Sequence, residues 1–137
     1  MADAPLIDRW LTLNRLSAQI NRAIEQTLSA RHGLCAGAYE IMDVLRDAPE
    51  WTRLGELSGG VSRSQPQTSR LVTQLVDAGY LERTPSPGDG RSTQVRLTPA
   101  GRRIFQAATV TVEELLRTLT EENLDAGALF LVPDPTG

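Results

Sequence analysis

Ser64, Gln65, Gln67, Thr68 and Arg70 fall within seven consecutive residues. These side-chain types suit the reading of duplex DNA. Glutamine bonds adenine bidentately, arginine bonds guanine or a phosphate, and threonine bonds a phosphate or touches a thymine methyl. Ser64-Gln65-Pro66-Gln67 is also a capping box, with Ser64 as N-cap and Gln67 at the third helical position. Ser64 is therefore first a cap, with phosphate contact as a second use. Little else in the chain offers chemistry. One histidine (His32) excludes a histidine-rich metal site, and one cysteine (Cys35) excludes an intramolecular disulfide and a cysteine-built zinc site. There is no phosphate loop, no paired-carboxylate constellation on an identifiable frame and no Cys-His dyad at a supporting spacing. The expectation is a chain that is not an enzyme and holds no metal or cofactor.

The elements that must position those residues follow from periodicity and punctuation. Residues 6–30 carry Leu6, Trp10, Leu13, Leu16, Ile20, Ile24 and Leu28 at spacings of three and four, which predicts a long amphipathic helix stopped by Gly33. A second helix fits Ala36 to about Ala48, with Ala38, Ile41, Met42 and Leu45 inward and Pro49 preventing continuation. A short third helix starts after Thr52 as N-cap and ends at Gly59-Gly60. The capped fourth helix carries Leu71, Val72, Leu75 and Val76 and closes at Gly79. Tyr80 to Arg83 reads as a strand, Pro85 to Gly90 as turn, and Thr93 to Leu97 as the alternating return strand. Thr98-Pro99 opens another long helix, with Ile104, Ala108, Val112, Leu115 and Leu119 as its stripe. Thr120 caps a last short helix that Pro133 ends.

That order is a helix-turn-helix followed by an exposed hairpin, a mainly α winged fold with a two-stranded β-wing. A helix fits the major groove with its N-terminal residues at base edges, and a hairpin bearing arginine can follow the neighbouring backbone or minor groove. Charge agrees. The chain has 14 arginines, no lysine and 17 acids, a net charge of −3. Residues 52–103 alone are +4 and the flanks −7. A basic central surface on an acidic chain suits phosphate, because phosphate responds to the local field. The 137 residues make one domain. No apolar run approaches the ~18 residues of a membrane span, and Asp3, Asp8, Arg9 and Asn14 break up any leader. With a lone cysteine, this predicts a cytoplasmic protein without membrane partners.

At Leu57 to Gly101 the chain resembles the multiple-antibiotic-resistance regulator (MarR) family of winged helix-turn-helix transcription factors. The resemblance rests on SQPQTSRLVTQLVDAGYLER, Ser64 to Arg83, and on DGRSTQVRLTPAG, Asp89 to Gly101. It implies a homodimer built from long N- and C-terminal dimerisation helices, 6–31 and 99–132, around a DNA-binding part at 36–98. It implies a pseudo-palindromic operator and, as the usual outcome, repression. Asp89 and Arg91 match the family's Asp-x-Arg wing, so Asp89 braces the wing through an arginine and Arg91 reaches DNA. Arg83, at the hairpin foot, braces Asp89 or contacts phosphate. Gly90 stands where the family often has a second arginine, and Gly59-Gly60 where it keeps a better-formed helix end. Leu124, Leu129, Phe130 and Leu131 are the residues that would close the dimer interface.

The resemblance also implies a small aromatic effector between the dimerisation helices and the winged part, for which Trp10, Tyr39, Met42 and Trp51 are candidates. Each of the four also suits plain core packing. Cys35 is read as a small buried residue, with oxidant sensing as the sharper alternative because Arg31 and His32 are near. Glu113-Glu114 and Glu121-Glu122 read as solvated helix faces. The rival to DNA binding is a winged-helix module for protein contact, which need not keep a polar, arginine-bearing helix beside Arg91.

Overall fold

The structure, a computed structural model, describes residues 5–48 and 50–123. Five helices and three strands follow in the order α1 (Leu6–His32), α2 (Ala36–Arg46), β1 (Thr52–Arg53), α3 (Leu54–Gly59), α4 (Gln65–Asp77), β2 (Leu81–Ser86), β3 (Asp89–Leu97), α5 (Pro99–Glu122). The helix stops are those the punctuation predicts. Gly33 ends α1 at φ 65° and Gly79 follows α4 at φ 84°, both left-handed backbones in which a Cβ is strained. Thr98 caps α5, its hydroxyl accepting from the Gly101 N–H at 3.0 Å, and Pro99 fills the first helical position.

Four local expectations are corrected. Thr52 does not cap α3. It pairs with Val95 in β1, its buried hydroxyl oxygen has no hydrogen-bond partner among the described residues, and Arg53 takes the cap position. A β-branched residue beside a free strand partner is drawn into the sheet, so the sheet has three strands in the order β1-β3-β2. The hairpin turn is also shorter than Pro85 to Gly90. The ladder runs to Ser86↔Asp89, leaving Pro87-Gly88 as the tip, with Gly88 at φ 78°. Pro85 is tolerated because β2 is an edge strand, and the register shifts between Pro85 and Ser86. Helix α2 ends at Arg46, short of Ala48. Thr120 lies inside α5, donating to the Arg117 carbonyl at 2.9 Å, and begins no separate helix. The interface candidates Leu124, Leu129, Phe130 and Leu131, and Pro133, lie outside the described residues.

One core joins these elements. Leu28 of α1, Ile41 and Met42 of α2, Leu57 of α3, Val72 of α4 and Val95 of β3 have essentially no exposed surface. Helix α5 adds Phe105 and Ala108, with Phe105 stacked on Tyr39 at a centroid distance of 5.0 Å. Gly101 lets α5 cross the end of α4 closely. A Cβ there would stand 2.1 Å from the Tyr80 carbonyl oxygen. Helix α1 is only partly covered. Leu16 and Leu28 are buried and Ile24 packs on the core, but Leu6, Ile7, Trp10, Leu11 and Leu13 are 46–81% exposed.

Candidate nucleic-acid interface

The start of α4 is fixed by its own side chains. Ser64 Oγ accepts from the Gln67 N–H at 3.3 Å, and Gln67 Oε1 accepts from the Ser64 N–H at 3.1 Å. The capping box thus satisfies two backbone donors that would otherwise face water. The inward face is Thr68, Val72 and Leu75. Thr68 is a correction to the expected polar surface. It has no exposed surface, and its hydroxyl donates to the Ser64 carbonyl at 2.9 Å. The signal lay in its place four residues before Val72, on the apolar stripe.

The outward face of α4 holds two rows. Gln67, Arg70 and Gln74, at helical spacing, border a cleft of about 320 Å³ that α1, α2 and the turn before α4 complete with Glu25, Cys35, Gly37 and Arg63. Gln65, Ser69 and Thr73 form the second row. It leads to the wing, because Arg83 of β2 donates from Nη1 to Thr73 Oγ1 at 3.2 Å. Ser64, Gln65, Gln67, Arg70, Arg83 and Arg91 are all exposed. Arg83 therefore links the hairpin foot to α4. Asp89 opens β3, but its side chain lies outside the described ones, as does any bracing by it.

The inner side of the hairpin carries Leu81, Val95 and Leu97 into the core. On its outer side Arg96 collects three partners. Its Nε donates to Glu82 at 2.9 Å, its Nη1 pairs with Glu50, and its guanidinium lies 4.3 Å from the Trp51 ring centroid. This ties the hairpin to the chain that leads into β1. The sequence reading passed over Arg96, because its partners are 14 and 46 residues away.

The reading also passed over the turn before α4. Ser62 Oγ donates to Glu40 Oε1 at 2.7 Å and Arg63 Nε to Glu40 Oε2 at 3.2 Å. One α2 carboxylate thus holds both residues that precede the N-cap. The turn that follows Gly59-Gly60 is thus pinned from across the domain. Gly60 itself packs on α2, where a Cβ would meet Val44 at 3.1 Å.

The four effector candidates do not come together. Trp10 is 56% exposed on α1, Met42 is fully buried, and Trp51 lies under Arg96. Only Tyr39 adjoins a described cleft. Its hydroxyl shares a 2.8 Å hydrogen bond with Thr109, which lines a volume of about 350 Å³ with Arg46, Leu97, Arg102, Phe105 and Gln106. Cys35 is half-buried and serves as N-cap of α2, its Sγ accepting from the Ala38 N–H at 3.3 Å. His32 Nε2 and Thr111 Oγ1 bond at 2.7 Å, joining the end of α1 to α5. Both residues have structural work.

A family model described as MarR family matches residues 32–92, which span α2 to the wing. The HTH-type transcriptional regulator PecS of Dickeya dadantii is 27% identical over 117 residues, covering 81% of this chain and 70% of PecS. Sco3205, a MarR family transcriptional regulator from Streptomyces coelicolor solved in complex with DNA, shares the fold at a TM-score of 0.80 and 19% identity, over 97% of this chain and 82% of that one. A mutant MarR from E. coli complexed with operator DNA superposes at a TM-score of 0.69 and 25% identity, over 92% and 93% of the two chains. These relatives are transcriptional regulators, not enzymes. The capped helix, the hairpin beside it and the match across both carry one conclusion: residues 32–92 match the MarR family model, and the chain has the winged helix-turn-helix fold of MarR-family regulators.

Proposed function

We propose that the protein is a sequence-specific DNA-binding repressor that acts as a homodimer on a pseudo-palindromic operator. The observation that carries this reading is the outward face of α4, where Gln65, Gln67 and Arg70 stand exposed at a firmly capped N-terminus. The wing lies beside it, joined through Arg83 and Thr73. A module built for protein contact has no need of that polar face next to Arg91. In the proposed complex α4 enters the major groove, Gln65, Gln67 and Arg70 read base edges, Ser64 adds a phosphate contact, and Arg83 and Arg91 hold the backbone. Asp89 braces the wing. Occupancy of the operator blocks a promoter, which places the protein's work in the cytoplasm with the chromosome. No described helix is long and apolar enough to cross a membrane.

Release by a small anionic aromatic effector completes the proposal. The cleft of about 350 Å³ beside Tyr39 supports it, since Arg102 offers positive charge and Phe105 an aromatic wall, whereas Arg46 there is paired with Asp43 and Asp47. That volume lies at the small end of ligand sites. The test is selection of binding sequences from random duplexes with the purified protein, followed by titration of the selected site against salt. A repeated, inverted motif with salt-sensitive affinity is expected. Recovery of unrepeated, asymmetric sequences, or no salt-sensitive binding to duplex, would overturn the reading.

A further inference from the structure

The pair formed by Glu40 of α2 and Arg63 of the turn has a position that bears on selectivity. Arg63 is the last residue before Ser64, the N-cap of α4. It borders the same cleft as Gln67 and Arg70, so its guanidinium lies within a side chain's reach of the proposed reading face. Yet it is folded back onto α2, with Nε 3.2 Å from Glu40 Oε2. The seat is shaped for it. Gly37 lies one helical turn before Glu40, and a Cβ there would stand 3.3 Å from Arg63 Nε and 2.7 Å from Leu71 Cδ1. The absence of a side chain at 37 lets both Arg63 and Leu71 close on α2. The second Glu40 oxygen takes Ser62, so the carboxylate fixes the backbone that leads into the cap as well as the cation.

This pair is no stability device. The two side chains are 37% and 36% exposed, and pairs so open to water contribute little to folding. What it does change is the field at the DNA-facing end of α4. An unpaired arginine there attracts phosphate whatever the sequence, and such attraction raises non-specific and specific binding together. Discrimination between an operator and the rest of a genome then falls, because the competing sites are so numerous. We propose that Glu40 is a specificity-determining residue of the DNA interface: by holding Arg63 it keeps that guanidinium off the phosphate backbone, so that affinity depends on the α4 base contacts. The inference rests on the DNA-binding reading above.

The test uses Glu40→Gln in the full chain. Glutamine keeps an acceptor for Ser62 and nearly the same volume, but not the charge that holds Arg63. Affinity for the selected operator and for a scrambled duplex is measured over a range of salt. The scrambled duplex should bind several-fold more tightly and the operator-to-scrambled ratio should narrow. If one phosphate is gained per subunit, the slope of log affinity against log salt should steepen by about 1.8 per dimer, from ~0.9 per phosphate. In Glu40→Gln/Arg63→Ala the slope should return to that of Arg63→Ala alone. A Glu40→Gln slope equal to the wild type, or a steepening that persists without Arg63, would overturn the proposal. Thermal melting of each variant runs alongside, and a lowered melting temperature with no change in slope would show Glu40 to be structural only, which also overturns it. Glu40→Asp, which keeps the charge, should hold the wild-type slope. Absence of salt-dependent duplex binding by the wild type would remove the DNA-binding reading and this inference together, whereas an unchanged variant slope on a wild type that binds removes this inference alone.

Discussion

At the residue scale, the α4 face divides into side chains free to read and side chains already engaged. Arg70 is exposed and projects beside Gln67 at the mouth of the cleft. Arg70→Ala should therefore cost operator binding about 1–3 kcal/mol of discrimination while changing scrambled-duplex affinity much less. Competitive binding of the two duplexes measures this, and equal losses on both would reduce Arg70 to a phosphate contact. Gln67 does two jobs, since its side chain also closes the capping box. Gln67→Ala mixes loss of the cap with loss of a base contact; Gln67→Glu keeps the box but adds a charge that repels any duplex, so the base contact is read from its operator-to-scrambled affinity ratio. Thr68 marks where the residue types misled. Its polar neighbours suggested a reading role, but its hydroxyl is buried against the Ser64 carbonyl. Thr68→Val should lose roughly 1 kcal/mol of stability with that bond and leave operator selectivity intact. A changed sequence preference in Thr68→Val would show that the helix rotates on DNA to expose residue 68.

At the element scale, the starts and stops of helices were the most legible features, because they are set by atoms within four residues. The Ser64 and Thr98 caps, Pro99, and the left-handed Gly33, Gly79 and Gly88 all act at that range. Contacts across the sequence were not legible. The Glu40 seat spans 22 and 23 residues, and Arg96 to Glu50 spans 46. Nothing local to Glu40 or Glu50 signals those partners. Strand β1 was missed for the same reason, since two residues become a strand only when β3 lies beside them. The clefts belong to this class too, and only Tyr39 among the four aromatic and sulfur candidates adjoins one. Two glycines show how packing sets consequences that composition does not. Gly37→Ala would press on the far ends of Leu71 and Arg63, which can move aside, whereas Gly101→Ala drives a Cβ into the Tyr80 carbonyl oxygen. The second clash is with backbone, and relief requires α5 to shift away from the α4–β2 corner. Gly101→Ala should destabilise the fold by roughly 3 kcal/mol, and Gly37→Ala by less. Denaturant melts rank the two, and the reverse order would contradict this packing. The wing has its own signature. Arg91 is exposed on β3 close to the Pro87-Gly88 tip, and in the proposed complex contacts there would fall on backbone and minor groove. Arg91→Ala should lower affinity for operator and scrambled duplex alike and flatten the salt slope by about 1.8 per dimer, two phosphates at ~0.9 each. An unchanged slope would take the wing out of the DNA-binding scheme.

At the scale of the whole molecule, the decisive feature is an apolar stripe that one chain only half covers. The stripe of α1 begins at Leu6 and ends at Leu28. Its C-terminal part is covered by the core, with Leu28 fully buried, while Leu6, Ile7, Trp10, Leu11 and Leu13 face outward, Leu6 at 81% exposure. On α5, Val110 is likewise 58% exposed. Single apolar residues on a surface need no explanation, but five large ones on one short stretch of helix mark a surface that associates. In the homodimer proposed above, the occupant of this surface is a second copy of the chain. A two-fold axis brings the same patch from each subunit together, so one stripe covers the other without a further partner. In that proposed dimer the same axis would present two α4 helices to one face of a duplex, which predicts half-sites about one helical turn, ~10 bp, apart. Sedimentation at micromolar concentration should give the mass of two chains, and the melting temperature should rise with protein concentration. Charging the patch by Trp10→Glu with Leu13→Glu should shift the mass to one chain. Because both side chains are already in water in the single chain, the winged part should keep its helical circular dichroism when the pair is changed. Its affinity for a full operator should then fall toward that for an isolated half-site, since two linked half-site contacts reinforce each other and single ones do not. A wild-type mass of one chain would refute the dimer, and full operator affinity in a monomeric Trp10→Glu/Leu13→Glu variant would separate dimerisation from recognition altogether.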